Sequence, residues 1–143
     1  MIPNIDLLAE EITETKYGTN TYKIVQVANS SETEQSEYHS RIDGYVDDLE
    51  AIKQTIQLIL STERYQHIVY SWDYGIELLD LFGKPLPYVI SELERRITEA
   101  LTQDNRISDV TDFEFEKVGK RLHATFTVVT TVGDIPTDLE VEV

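Results

Sequence analysis

The chain has 143 residues, with 27 acidic against 12 basic side chains, a net charge of −15 and no cysteine. That length suits one domain able to bury roughly 68% of its unfolded surface, and the lack of cysteine excludes a disulfide framework, a thiolate metal site and a cysteine nucleophile. The acidity opposes phosphate backbones and anionic lipid heads, so neither nucleic acid nor a membrane is expected as a partner; solubility or a complementary basic protein surface is what it serves.

The first sixteen residues, MIPNIDLLAEEITETK, show no clean hydrophobic period and no basic region of the kind that opens a signal or transit peptide. They are expected to form an extended arm at the front of a single domain spanning 1–143, with Leu7, Leu8 and Ile12 able to dock. TYKIVQVA then alternates, with Tyr22, Ile24 and Gln26 on one side and Val25 and Val27 on the other, which predicts a strand. The polar run NSSETEQSE makes a connection, and YHSRIDGYV resumes the alternation with Tyr38, Ser40 and Ile42 on one face, completing a hairpin.

The period changes at DDLEAIKQTIQLILSTE, where Leu49, Ile52, Ile56, Ile59 and Leu60 recur at spacings of three and four along one helical stripe. Asp47, followed three places on by Glu50, reads as the N-terminal cap. GIELLDLFG predicts a short second helix closed by Gly83, and Pro85 and Pro87 open a third, PYVISELERRITEALTQ. Val89, Ile90, Leu93, Ile97, Ala100 and Leu101 form the buried stripe of that helix, with Arg95 and Arg96 on a solvated face.

The last third returns to period two. DFEFEKV and RLHATFTVV flank Gly119 as a second hairpin, Phe113 and Phe115 on one strand and Leu122, Ala124, Phe126 and Val128 on the next. In LEVEV, Leu139, Val141 and Val143 alternate with glutamates, as suits a sheet edge open to another chain. Residues 137–143 are expected to be removable without loss of the fold, which is α+β: an N-terminal hairpin, three helices, and C-terminal antiparallel strands in one small sheet packed on the helices.

Chemistry concentrates in STERYQHIVYSWDYG, where Glu63, Arg64, His67, Trp72, Asp73 and Tyr74 fall within twelve positions. His39, His67 and His123 lack metal-ligand spacing, the serines sit in no nucleophile elbow, and there is no glycine-rich phosphate loop. No catalytic residue, cofactor or metal is therefore expected, although Glu63 with Asp73 could form the carboxylate pair of a cell-wall glycan hydrolase. The preferred reading is a structural corner with a polar rim: Gly75 takes a positive φ, Arg64 braces the loop, and Tyr65, Tyr70, Trp72 and Tyr74 wedge between elements.

The stretch DLEAIKQTIQLILSTERYQHIVYSWDYGIELLDLFG resembles the signature of the baseplate wedge family of contractile tails, which includes phage protein W and wedge subunits historically labelled lysozyme-like. The match runs through Gln54, Ile56, Leu60, Thr62, Glu63, Arg64, Tyr74, Gly75, Leu78 and Leu79, and the YSWDYGIEL version is similar to a Gram-positive prophage branch. Where the family pattern has Gly before Glu-Arg and Pro before the aromatic, this chain has Thr62 and Asp73, so its loop need not match in detail. The resemblance implies a structural, non-enzymatic part that joins baseplate to sheath and templates the first sheath ring by strand pairing. Its partners would be other baseplate wedge proteins, tail sheath protein and further copies in the assembled baseplate, first in the host cytoplasm and then in the tail. Candidate partner-binding residues are Glu63, Arg64, Trp72, Tyr74, Leu139, Val141 and Val143. A small regulatory adaptor of the same fold is the other alternative to the hydrolase.

Overall fold

The computed structural model describes residues 19–27 and 39–143; the expected arm, the whole of the first connection and Tyr38 lie outside the described residues. Strands β1 (Thr21–Val27) and β2 (His39–Val46) pair antiparallel as the alternation predicts. Asp43 and Gly44 both stand opposite Lys23, a bulge that Gly44 accommodates at φ +77°. Tyr22 stacks on Tyr45 across the pair at 4.9 Å between ring centroids.

Helix α1 (Asp48–Ser61) follows, with the Asp47 carboxylate accepting from the Asp48 N–H at 2.8 Å as its cap. It buries Ala51, Ile52, Ile56, Ile59 and Leu60, whereas Leu49, expected in that stripe, is exposed. Helix α2 (Leu86–Thr102) starts on Pro85 and Pro87 and buries Val89, Leu93, Ile97, Ala100 and Leu101. Strands β3 (Ile107–Val118), β4 (Arg121–Thr130) and β5 (Asp134–Glu142) form an antiparallel sheet in that order, β3 and β4 joined by a two-residue turn at Gly119 and Lys120. Leu122, Ala124, Phe126 and Val128 turn inward from β4, and the core continues through Ile107, Val110, Ile135 and Val141 to the stripes of both helices.

The C-terminal strands form the one small sheet expected of them, β3–β4–β5, and β1 and β2 stand apart from it as a separate antiparallel pair. Two expectations need correction. Only Leu79–Leu81 of the predicted second helix turns, as a single 3₁₀ segment, so there are two α-helices among the described residues. The cause is competition for its backbone: the Ile76 amide and carbonyl bond Thr62 and Arg64, Glu63 accepts from the Leu78 and Leu79 amides, and Arg96 donates to the Glu77 carbonyl. A nine-residue helix offers too few bonds to outweigh those. Finally, the end of β5 is not separable: Val141 is buried and Leu139 and Val143 pack against the core, so removing 137–143 would uncover Leu122 and Ala124.

Candidate functional site

The loop after α1 leaves and returns through one narrow neck. Arg64 N–H donates to the Ile76 carbonyl and Ile76 N–H to the Thr62 carbonyl, both at 3.0 Å, making a short parallel bridge. Gly75 lies in the neck at φ +94°, and a Cβ there would stand 2.6 Å from the Thr62 carbonyl oxygen, so only glycine lets the two strands close this tightly. Arg64 Nε donates to the Gly75 carbonyl at 3.1 Å and its Nη1 pairs with Glu99 of α2 at 3.0 Å. Glu63 turns the other way, its two oxygens accepting from Leu78 N–H at 3.0 and 3.1 Å. Arg64 is thus the brace that was expected, and Glu63 does the same work on the opposite side of the neck.

Arg96 completes the support and was missed in the sequence. Instead of lying on a solvated face it is 8% exposed, donating to the Glu77 carbonyl at 2.8 Å, to both oxygens of Asp80 and to Glu92 at 3.0 Å. Its hydrogen bond holds the Asp80 carboxyl below the ordinary range, and Arg95 and Arg96 together do the same for Glu92. The sequence signal available was Glu92 four places before Arg96, which reads equally well as a surface pair. Arg95 is exposed as expected and pairs with Glu92 and Glu99.

Beyond the neck the aromatics pack on one another in pairs, one stacked and one tilted, rather than wedging between elements. Tyr70 lies on Tyr74 at 4.6 Å and Tyr65 against Trp72 at 5.9 Å. Only Tyr74 reaches the core, and burial followed by the neighbouring Tyr70 pushes its phenol above its usual value. Tyr65, Tyr70 and Trp72 are exposed, which corrects the wedge reading for all three.

The two acids of the hydrolase alternative are turned apart. Asp73 lines a cavity of about 570 Å³ with Thr55, Tyr74 and Arg106, which Glu63 does not line. Across that cavity Asp104 pairs with Arg106 at 2.6 Å; desolvation pushes the Asp104 carboxyl up, but the Arg106 bonds outweigh it and leave it below its usual value. Among the described residues no group of three or more His, Asp or Glu side chains is placed to hold a metal, and no helix is long and apolar enough to cross a membrane.

The second feature is the outer edge of β5, which pairs with no other strand among the described residues. Val143 N–H donates to the Lys120 carbonyl at 2.8 Å, which sets the odd-numbered residues of β5 to bond toward β4 and turns the backbone groups of Asp134, Asp138, Glu140 and Glu142 outward. Pro136 falls on the outward set, where its missing N–H breaks no ladder bond. The side chains of Leu139, Val141 and Val143 face inward, so what this strand can offer a partner is backbone. Two adjoining grooves of about 690 and 300 Å³ run between β5 and α1, sharing Lys53, Gln57, Ser61 and Pro136. On the far side of the larger groove, β1 is closed: the Gln54 side chain donates to the Tyr22 carbonyl at 2.8 Å and accepts from Ile24 N–H at 2.9 Å, occupying the places of a neighbouring strand.

An acidic α+β body with a stapled loop and one regular strand edge has the form of an assembly part, and comparison with known proteins gives the class. A family model for the contractile injection system sheath initiator matches residues 30–133, and the chain belongs to that family, a structural one of contractile tails. Among individual proteins, the phage-like element PBSX protein XkdS of Bacillus subtilis (strain 168) is 44% identical over 90 residues, which cover 61% of this chain and 64% of that protein. These matches bear out the contractile-tail setting of the expected resemblance, and the family they give is the sheath initiator.

Proposed function

We propose that the protein is the baseplate component on which the contractile sheath starts, and that the free edge of β5 is the template for the first sheath strand. The observation that carries this reading is the unbroken nine-pair register of β4 with β5, which leaves a straight row of outward backbone groups from Asp138 to Glu142. β3, the other edge of the same sheet, has two register breaks and Asp112 at φ +56°, and is a poor template. An incoming strand gains main-chain hydrogen bonds along β5 and a floor of α1 side chains, including Lys53 opposite its own acids or carbonyls. Its partners are then tail sheath protein at β5 and other baseplate wedge proteins elsewhere, in a phage or prophage tail built in the host cytoplasm. Several copies would act together in one baseplate. Catalysis has no part in this role, since both oxygens of Glu63 are engaged by the Leu78 and Leu79 amides.

The test uses Glu140→Pro, which removes an outward N–H while sparing the ladder to β4, with Glu140→Ala as the control that keeps it. Particles carrying the proline should show tubes on baseplates without sheath, and those carrying the alanine should be sheathed. Normal sheaths on the proline variant would refute the template.

A further inference from the structure

Ile68 and Val69, at the far end of the loop, are 104% and 85% exposed, and Trp72 beside them is 81% exposed. The segment from Arg64 to Trp72 contains no carboxylate, in a chain with 27 of them. A projecting apolar tip of this kind costs solubility unless it is covered in use. It is also held ready: the neck is closed by two backbone hydrogen bonds and the Arg64 and Glu63 braces, and Tyr65 on Trp72 and Tyr70 on Tyr74 stiffen its flanks. With its neck and flanks already fixed, the loop has less conformational freedom to lose on docking.

We infer that this tip is a plug for an apolar socket on a different protein of the particle, with Ile68, Val69 and Trp72 as its anchors. A convex tip needs a concave partner, and Tyr65, Tyr70 and Trp72 carry hydroxyl or indole donors that suit acceptors at the socket's rim. Charge decides what surrounds the socket. Asp73 is exposed immediately beside Trp72 and the body carries −15, so the collar around the socket is neutral or basic. The same charge opposes a second copy of this chain, itself a body of −15, and it opposes an anionic bilayer. Three side chains of this size supply the centre of an interface rather than its whole area, so the plug acts with a polar rim around it.

The setting of a contractile tail is shared with the preceding proposal, but the strand edge is not, and the two fail separately. The probe is baseplates purified from particles lacking this chain, to which the purified full-length protein is added and its binding measured by co-sedimentation. Ile68→Asp and Trp72→Ala should each weaken binding about thirtyfold or more without shifting the melting temperature, while Glu140→Pro should bind as the native chain does. A photo-crosslinking side chain at position 68 should join the chain, in intact particles, to an apolar pocket of another tail protein. Unchanged affinity in both tip variants overturns the inference. So does crosslinking of position 68 to a second copy, or co-sedimentation of the native chain with phosphatidylcholine vesicles that is lost in Ile68→Asp.

Discussion

Replacing Gly75 by alanine should be among the most damaging single changes to the loop. At φ +94° an L-residue sits in a region that costs roughly 1–2 kcal/mol, and the added Cβ would meet the Thr62 carbonyl oxygen at 2.6 Å and the Arg64 amide nitrogen at 3.2 Å. Both are backbone atoms, so the neck must open to relieve the contact. Opening it loses the Arg64-to-Ile76 and Ile76-to-Thr62 hydrogen bonds, each worth about 1 kcal/mol net. The sum is about 3–4 kcal/mol, which for a domain of this length lowers Tm by about 10 °C. Gly83 provides the control: it lies at φ +72° with nothing within 4 Å of an added Cβ, so Gly83→Ala carries the strain alone. Thermal melts followed by circular dichroism compare the two, and amide exchange at Arg64 and Ile76 reports the neck directly. Equal shifts in the two variants, with exchange at Ile76 unchanged in Gly75→Ala, would refute the claim that neck closure demands glycine.

Arg96→Met should destabilise the protein by about 2–3 kcal/mol at pH 7, because it leaves the Glu77 carbonyl and the Asp80 carboxylate without their donor. Since Asp80 has a lowered pKa in the fold, the stability it contributes is present above about pH 4 and lost as pH falls through its folded value. The gap between native and variant in urea melts should therefore narrow below pH 4, and a gap that stays constant to pH 2.5 would show the pair to be electrostatically idle. Gln54→Ala should cost about 1 kcal/mol and open the edge of β1, giving faster exchange at Ile24 and concentration-dependent association in sedimentation velocity. A strictly monomeric variant at high concentration would mean that the clasp does not guard this edge.

What could be read in the sequence divides along a physical line. Elements governed by their own periodicity, α1, α2 and the β3–β4 hairpin, were legible because each buries one face by the spacing of its apolar residues, and the β1–β2 pair followed its alternation although Tyr22, Ile24, Ile42 and Tyr45 stay exposed. Failures came where long-range hydrogen bonds decide. GIELLDLFG has helical spacing, but its backbone is claimed by Thr62, Glu63, Arg64 and Arg96, none of which is its neighbour in the chain. Arg96, three places after Leu93 and four before Ala100, borders the buried stripe whereas Arg95 lies opposite it, but a guanidinium there reads as solvated until Glu77 and Asp80, which are remote in the chain, are brought to it. The site followed the same rule. Glu63, Arg64, Tyr74 and Gly75 could be picked out as a cluster, but only the folded neck reveals that they support the loop, while its most exposed residues, Ile68 and Val69, carry no polar group to draw notice in the sequence.

The acidity of the chain acquires a specific meaning from its sheet edges. An unpaired edge invites pairing with any other strand, including one from another copy. Two edges are protected by structure: β1 by the Gln54 side chain and β3 by the bulge at Asp112 and Phe113 opposite Phe126. β5 has Pro136 near its start but is regular from Thr137 onward. What guards it there is charge. Asp138, Glu140 and Glu142 are exposed along its outer face, and among the described residues only Arg121 and His123 of β4 pair with them. Antiparallel pairing of two copies along this edge would set acids against acids, and each such juxtaposition is unfavourable on top of the repulsion between two bodies of −15. A neutral or basic strand meets neither obstacle. Charge is the one form of edge protection that discriminates between partners, and a chain whose edge must stay unpaired until the right strand arrives has reason to use it there.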